Sequence, residues 1–232
     1  MNLRQTLFGK SKNNDIDAIF GNIVGHDYPK FILSEALQST EPVHIMLKGP
    51  MGIGKTEMLY NVERYVGKKN SHVGIGSRIS KAGLGDLLYT NKNLEYLLID
   101  EMETMPRKDQ ALLLSVQQHG RISETLYGKV REKNVRVTVF ATCNDTRKII
   151  PALLSRFFIV NMPNYSREEY IHVAKIILQK ELKEDVIEYV ASNLYDLVPN
   201  CNPRDVQQVG RLSKGNEDKI DMIIGKMRSS ER

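Results

Sequence analysis

Tryptophan is absent from this chain, and cysteine occurs only twice in 232 residues. Cys143 lies in an apolar run and Cys201 precedes a predicted helix start. A disulfide scaffold is thereby excluded, and a reducing, cytoplasmic setting is expected. No apolar stretch approaches the ~18 residues of a membrane span, and no signal peptide is expected. The five histidines, at 26, 44, 72, 119 and 172, show no metal-ligand spacing. Internal repeats and low-complexity tracts are also missing. What is present is ample apolar material, 41% of the residues, and a net charge of +5. That mildly basic balance permits a nucleic-acid partner without demanding one.

Against this plain background one motif stands out. Residues 49–56 read Gly-Pro-Met-Gly-Ile-Gly-Lys-Thr, the G-x-x-x-x-G-K-[ST] phosphate loop. Gly49, Gly52 and Gly54 let the backbone curl until successive N–H groups point at phosphate oxygens. Lys55 puts a point charge on the outer phosphates, and Thr56 offers a hydroxyl to Mg²⁺. The context fits: an apolar run, His44–Lys48, precedes the loop, and Met58, Leu59, Val62 and Val66 follow at helical spacing. The predicted helix, Thr56–Val66, turns its positive end toward the same anion. A nucleoside triphosphate is the first ligand to consider.

Three further segments can complete such a site. Tyr96-Leu97-Leu98-Ile99-Asp100-Glu101 reads as a buried parallel strand ending in two acids. Taken alone, the acids would equally suit a loop or a helix cap. Behind a phosphate loop, Asp100 is a candidate Mg²⁺ partner and Glu101 a candidate base for the attacking water. The strand Val137–Cys143 runs into Asn144, whose amide is placed to reach phosphate and water; an Asx turn is the plainer reading. Arg156 stands just before another strand, Phe157–Asn161. Asn202-Pro203-Arg204-Asp205 reads as a helix start, with Asn202 as N-cap and Pro203 in the first helical position.

In this order, these pieces resemble the AAA+ ATPases from about residue 20 to the end. The resemblance implies a P-loop α/β fold, a five-stranded parallel sheet sandwiched by helices, with a C-terminal all-α lid. It implies ATP and Mg²⁺ as cofactors. Lys55 and Thr56 match the Walker A motif, with Ile53 and Glu57 flanking them; Asp100 and Glu101 match Walker B. Asn144 is similar to the sensor-1 residue, Arg156 to the arginine finger and Arg204 to the sensor-2 arginine. Ile23 and Val24 fall where the family packs adenine. Thr56 and Asp100 would be the metal partners. An arginine finger acts on a neighbour's nucleotide, which implies a homo-oligomeric ring, expected as a hexamer with ATP.

Within that superfamily the chain most resembles the RuvB-type branch-migration helicases. Asn22–His26, Ser80–Leu87, Tyr165–Glu169 and Asn202–Arg204 carry the likeness. The likeness implies DNA, branched or single-stranded, as a sequence-nonspecific partner. Departures are plain. Ala141-Thr142-Cys143-Asn144 is closer to clamp-loader subunits, and Met102-Glu103 stands where the RuvB pattern reaches a histidine. The residues after Arg204 are expected to be too few for a winged helix, and a DNA-binding partner protein is one candidate to supply it. Clamp-loader-like, MoxR-like protein-remodelling and non-hydrolytic adaptor roles remain as alternatives.

The expected organisation is an arm over residues 1–20, an α/β domain over 21–163 and a helical lid over 164–232. Gln5-Thr6-Leu7-Phe8 is similar to the start of a sliding-clamp-binding peptide, but the downstream aromatic pair is missing. In the lid, Ser166 and Glu169 form a capping box, with Tyr170, Val173, Ile176 and Ile177 as the expected inner face. Two basic elements lie outside the hydrolytic motifs. One is the Arg78–Leu84 loop, with Arg78 and Lys81. The other is a predicted β-hairpin around Tyr127-Gly128. There Arg121, Lys129, Arg131, Lys133 and Arg136 outnumber Glu124 and Glu132. Arg78, Lys81, Lys129, Arg131 and Lys133 are the candidate nucleic-acid contacts, although each element also reads as a solvated surface.

Overall fold

The computed structural model describes residues 12–126 and 129–230, and it divides into two compact units. The first comprises Gly54–Met162 together with the chain up to Gly49. The second comprises Pro163 onward and, from the middle of the phosphate loop, Pro50–Ile53.

The first unit is built on five parallel strands: β1 (Ile45–Lys48), β2 (Ser71–Ile75), β3 (Tyr96–Asp100), β6 (Thr138–Cys143) and β7 (Phe158–Asn161). Their spatial order is β2-β3-β6-β1-β7. The central strands consist of apolar and β-branched residues because both faces are covered. All six residues of β6 are buried, and Leu97, Leu98 and Ile99 of β3 are inaccessible to solvent. The covering helices are α1 (Lys12–Phe20), α2 (Asp27–Gln38), α3 (Lys55–Val66), α4 (Lys81–Thr90) and α5 (Arg107–His119), with the single turn α6 (Pro151–Leu154) before β7. Within the expected N-terminal arm, α1 is helical and buries Ile19 and Phe20. The peptide-like Gln5–Phe8 lies outside the described residues.

Parallel register decides where strand ends fall. Lys48 pairs with Cys143, and Ile99 with Ala141. The residues following β1, β3 and β6 therefore emerge together at the carboxyl edge of the sheet, where ligands of such sheets bind.

Between α5 and β6 the chain inserts an antiparallel hairpin, β4 (Arg121–Leu126) and β5 (Lys129–Asn134). Its tip, Tyr127-Gly128, and the Lys129 side chain lie outside the described residues. The hairpin base is fastened to α4. The Tyr89 hydroxyl donates to the Arg131 carbonyl at 2.8 Å, and the Arg131 guanidinium lies 4.5 Å from the Tyr89 ring centre. Lys133 Nζ donates to the carbonyls of Leu88 and Tyr89 at 2.7 and 3.2 Å, capping the negative end of α4.

The second unit contains α7 (Arg167–Leu178), α8 (Glu184–Leu197), α9 (Pro203–Ser213) and α10 (Glu217–Ser230). Capping boxes Ser166/Glu169 and Asn202/Asp205 start α7 and α9. The inner face of α7 differs from the expected one. Tyr170, Ala174 and Leu178, at i, i+4 and i+8, are buried, whereas Ile176 is 42% exposed. That face meets α9 at Leu178, whose Cδ1 would lie 2.9 Å from a Cβ added at Gly210. Among the described residues no helix is long and apolar enough to cross a membrane.

Candidate functional site

In the first unit, α3 begins at Lys55 because Gly54, at φ 88°, supplies the left-handed turn that ends the loop. Lys55 is buried, yet its ammonium is satisfied: Nζ donates to the Gly49 carbonyl at 2.7 Å and to Asn144 Oδ1 at 2.8 Å. Asn144 thus stands beside the loop lysine, although 89 residues separate them in sequence.

One residue along α3, the Thr56 hydroxyl lies 3.1 and 3.0 Å from the two Asp100 carboxylate oxygens. A hydroxyl and a carboxylate are hard oxygen donors of the kind Mg²⁺ prefers, so the pair fits that ion. Asp100 is also held from β6: the Thr142 hydroxyl donates to Oδ1 at 2.5 Å and accepts the Glu101 N–H at 3.0 Å. Thr142 was not distinguishable from its strand neighbours in the sequence. The available signal was register, since Asp100 and Thr142 follow the paired residues Ile99 and Ala141.

Glu101 is exposed and occupies the left-handed region at φ 51°. Such a conformation costs a non-glycine residue about 1–3 kcal/mol, so the surroundings must impose it. Two groups do so. Thr104 donates to the Glu101 carbonyl through its hydroxyl at 2.7 Å and its N–H at 2.9 Å. Beside them, a Cβ at Gly76 would lie 2.5 Å from that carbonyl, so only glycine leaves room. Glu103, two residues on, is buried, and its Oε1 accepts both the backbone N–H and the Nδ2–H of Asn144, at 2.9 and 2.8 Å. Burial pushes the Cys143 thiol up to about 12, with Glu103 adding to the shift.

The structure therefore brings together Lys55, Thr56, Asp100 and Asn144. Other candidates lie elsewhere or are engaged differently. Glu57 accepts from Asn22 Nδ2 at 3.3 Å and pairs with Arg64, on the exposed side of α3. Ile23 is buried, Val24 is half-buried, and the Ile23 carbonyl accepts from Lys30 Nζ at 2.6 Å. Arg156 is exposed on the turn between α6 and β7, outside this hydrogen-bonded network. Arg78 and Lys81 are exposed; Lys81 opens α4, where its backbone N–H donates to Asp109 Oδ1 at 2.8 Å. Arg131, which also pairs with Asp86 at 3.7 Å, and Lys133 are committed to α4 as described above.

The second unit holds Gly52, Ile53 and Arg204. Gly52, at φ 79°, abuts Asn202, whose side chain would meet an added Cβ at 2.9 Å. The Tyr165 hydroxyl donates to the Ile53 carbonyl at 3.1 Å, and burial pushes its pKa up to about 12. Arg204 is exposed in the first turn of α9. A cavity of about 560 Å³ opens beside these loop residues, lined by Met51, Tyr165, Tyr170, Tyr195, Val198 and Pro203 among others. Its tyrosines suit a flat ring; spacing in the sequence did not mark them as a group.

Comparison with known proteins agrees with this geometry. The family "ATPase family associated with various cellular activities (AAA)" matches residues 45–164. The Holliday junction branch migration complex subunit RuvB of Thermosipho melanesiensis is 30% identical over 155 residues, covering 61% of this chain and 48% of that protein. The peroxisomal Lon protease homolog 2 of Bos taurus is 26% identical over 160 residues, covering 59% of this chain and 19% of that one. The chain thus spans about a fifth of the Lon protein and about half of the RuvB subunit. In structure, the Thermotoga maritima RuvB Holliday junction branch migration motor superposes with a TM-score of 0.64 at 20% identity, covering 85% of this chain and 67% of that one. The five-stranded sheet and C-terminal helices share its fold. With the family matched over more than half of its length and the nucleotide motifs assembled at one sheet edge, the chain belongs to the AAA family of ATPases.

Proposed function

We propose that this chain hydrolyses ATP with Mg²⁺ and uses the energy to remodel DNA as part of a homo-oligomeric ring, a hexamer in the nucleotide-bound state, in the manner of a RuvB-like motor. The observation that carries the hydrolytic part is the convergence of Lys55, Thr56, Asp100 and Asn144 at the carboxyl edge of three adjacent strands.

The chemistry asked of the residues is positioning and electrostatics, without a covalent intermediate. Lys55 would leave its Gly49 and Asn144 acceptors for the outer phosphates. Thr56 and Asp100 would hold Mg²⁺, which supplies charge neutralisation along the phosphates. Glu101 would take the proton of the attacking water, and Asn144 would orient that water. Arg156, exposed and unused within its own chain's network, would reach a neighbouring subunit's nucleotide. Away from the reacting phosphate, Ile23 and Val24 would be nucleotide contacts of the first unit, and Arg204 one of the second.

The DNA part rests on the exposed Arg78 and Lys81 and on a cavity of about 660 Å³ lined by Lys81, Lys108, Tyr89 and Leu112. In a ring, several weak phosphate contacts of this kind add through multivalency. A protein-remodelling role is the second reading, favoured by a specific observation. Of the hairpin cations expected on DNA, Lys133 caps α4 and Arg131 stacks on Tyr89 and pairs with Asp86. One assay separates the two: steady-state ATPase with single-stranded, duplex or four-way-junction DNA, and with an unfolded protein. Stimulation by DNA that falls steeply with salt, and falls again in Arg78→Ala with Lys81→Ala, supports the motor on DNA. Stimulation by the unfolded protein alone moves the function to protein remodelling.

A further inference from the structure

We infer that Glu103 is a positioning residue that locks the Asn144 amide in one orientation, with its oxygen facing Lys55 and the reacting phosphate. The inference rests on the hydrolytic reading above.

Glu103 is 9% exposed. Its Oε1 accepts two hydrogen bonds from one residue, the N–H and Nδ2–H of Asn144, while Oε2 is buried with no hydrogen-bond partner among the described residues. A buried carboxylate oxygen left without a partner is destabilising, so stability alone does not favour this arrangement. An apolar residue would fill the same space more cheaply. What the carboxylate does achieve is control over Asn144.

The amide of an asparagine can be turned by half a rotation with almost no change in shape, and its orientation is decided by its neighbours. Here both neighbours agree. Nδ2 faces an acceptor, Glu103 Oε1, at 2.8 Å, and Oδ1 faces a donor, Lys55 Nζ, at 2.8 Å. Turning the amide would set oxygen against carboxylate and NH₂ against ammonium, two repulsions in place of two charge-assisted hydrogen bonds.

A consequence follows for the reaction. When Lys55 moves to a phosphate, the group Asn144 presents is an acceptor. An acceptor has no attraction for a phosphate oxygen, but it can take one hydrogen of the attacking water and so aim the water's lone pair. Without Glu103 the amide can turn, Nδ2 can bond the phosphate instead, and the water loses its guide. Loss of Glu103 should therefore lower kcat and leave ATP affinity intact or slightly tightened.

The test is a double-mutant cycle on the full chain, reading kcat, ATP affinity by calorimetry and the melting temperature. Glu103→Ala should lower kcat about 10- to 100-fold, the scale of a misdirected reacting group, with affinity changed less than ~3-fold. Glu103→Gln keeps an oxygen to accept from Asn144 and should stay within ~3-fold of wild-type turnover. In an Asn144→Ala background, Glu103→Ala should have no further effect on kcat. Should the alanine variant fail to fold, Glu103→Leu fills the space without an acceptor and serves in its place. Additive effects of the two substitutions would overturn the inference, as would a glutamine variant as slow as the alanine one. A wild-type chain that binds ATP but never hydrolyses it would instead sink the hydrolytic reading itself, and this inference with it.

Discussion

Replacing Gly76 with alanine should slow ATP turnover although residue 76 touches no proposed ligand. A Cβ there would lie 2.5 Å from the Glu101 carbonyl oxygen, 2.9 Å from Thr104 Oγ1 and 3.1 Å from the Met105 nitrogen. Two of the three are backbone atoms, so no flexible side chain can simply swing away. Restoring an ordinary contact of about 3.4 Å requires the Glu101 carbonyl to retreat by roughly 0.9 Å. Alanine in place of glycine normally stabilises by about 0.4–1 kcal/mol through the unfolded chain. Overpacking of this kind costs about 1–3 kcal/mol. The net change in stability should be a loss of about 1–2 kcal/mol, small enough for a folded protein. Its larger effect falls on Glu101, whose left-handed backbone has its carbonyl wedged against Gly76 and held by Thr104. Moving a reacting group by about 1 Å costs up to about 100-fold in rate. Steady-state ATPase assays should thus show kcat reduced about 10- to 100-fold, while ATP affinity, set by the loop around Lys55, changes little. A folded Gly76→Ala protein with wild-type kcat would falsify the claim that this wedge aims the base.

Lys55→Ala should abolish tight ATP binding in a calorimetric titration, whereas Glu101→Gln should retain ATP and lose turnover. Wild-type hydrolysis by the glutamine variant would remove Glu101 from the role of base. Arg156→Ala should keep nucleotide affinity and lose about 10³-fold in turnover. Mixing it with Glu101→Gln protein should restore some activity if sites are shared between subunits, and no recovery at any ratio counts against sharing. His44 gives a pH prediction. Burial lowers its pKa to about 4, and its Nδ1 accepts the Val139 N–H at 3.1 Å. The unfolded chain, with a value near 6.5, takes up the proton first, so stability is full above pH 6.5 and falls as pH drops toward 4. The loss is at most about 3.5 kcal/mol at about 1.4 kcal/mol per unit. His44→Asn keeps an acceptor and should flatten this slope in chemical denaturation between pH 7 and 4.5; an unchanged slope assigns it to other groups.

Local physical chemistry alone made much of this protein legible. A phosphate loop needs glycines, a lysine and a hydroxyl at fixed spacing, so residues 49–56 identified themselves without any neighbour. Buried parallel strands must be apolar on both faces, so Tyr96–Asp100 and Val137–Cys143 stood out, together with the polar residues at their ends. Capping boxes at Ser166 and Asn202 are likewise local, because the partner lies three residues away. Tertiary structure decided whatever depends on which strands become neighbours. Register between β3 and β6 placed Thr142 on Asp100 and Glu103 on Asn144, pairings that lie 42 and 41 residues apart in the chain. Packing of α4 against the hairpin turned Lys133 from a free surface cation into a helix cap. Packing against α9, where Leu178 meets Gly210, put Tyr170, Ala174 and Leu178 rather than Ile176 on the inner face of α7. The physical reason is common to all three. A hydrogen bond or a packed contact between distant segments leaves no periodicity behind, because either residue type would look ordinary wherever its partner was absent.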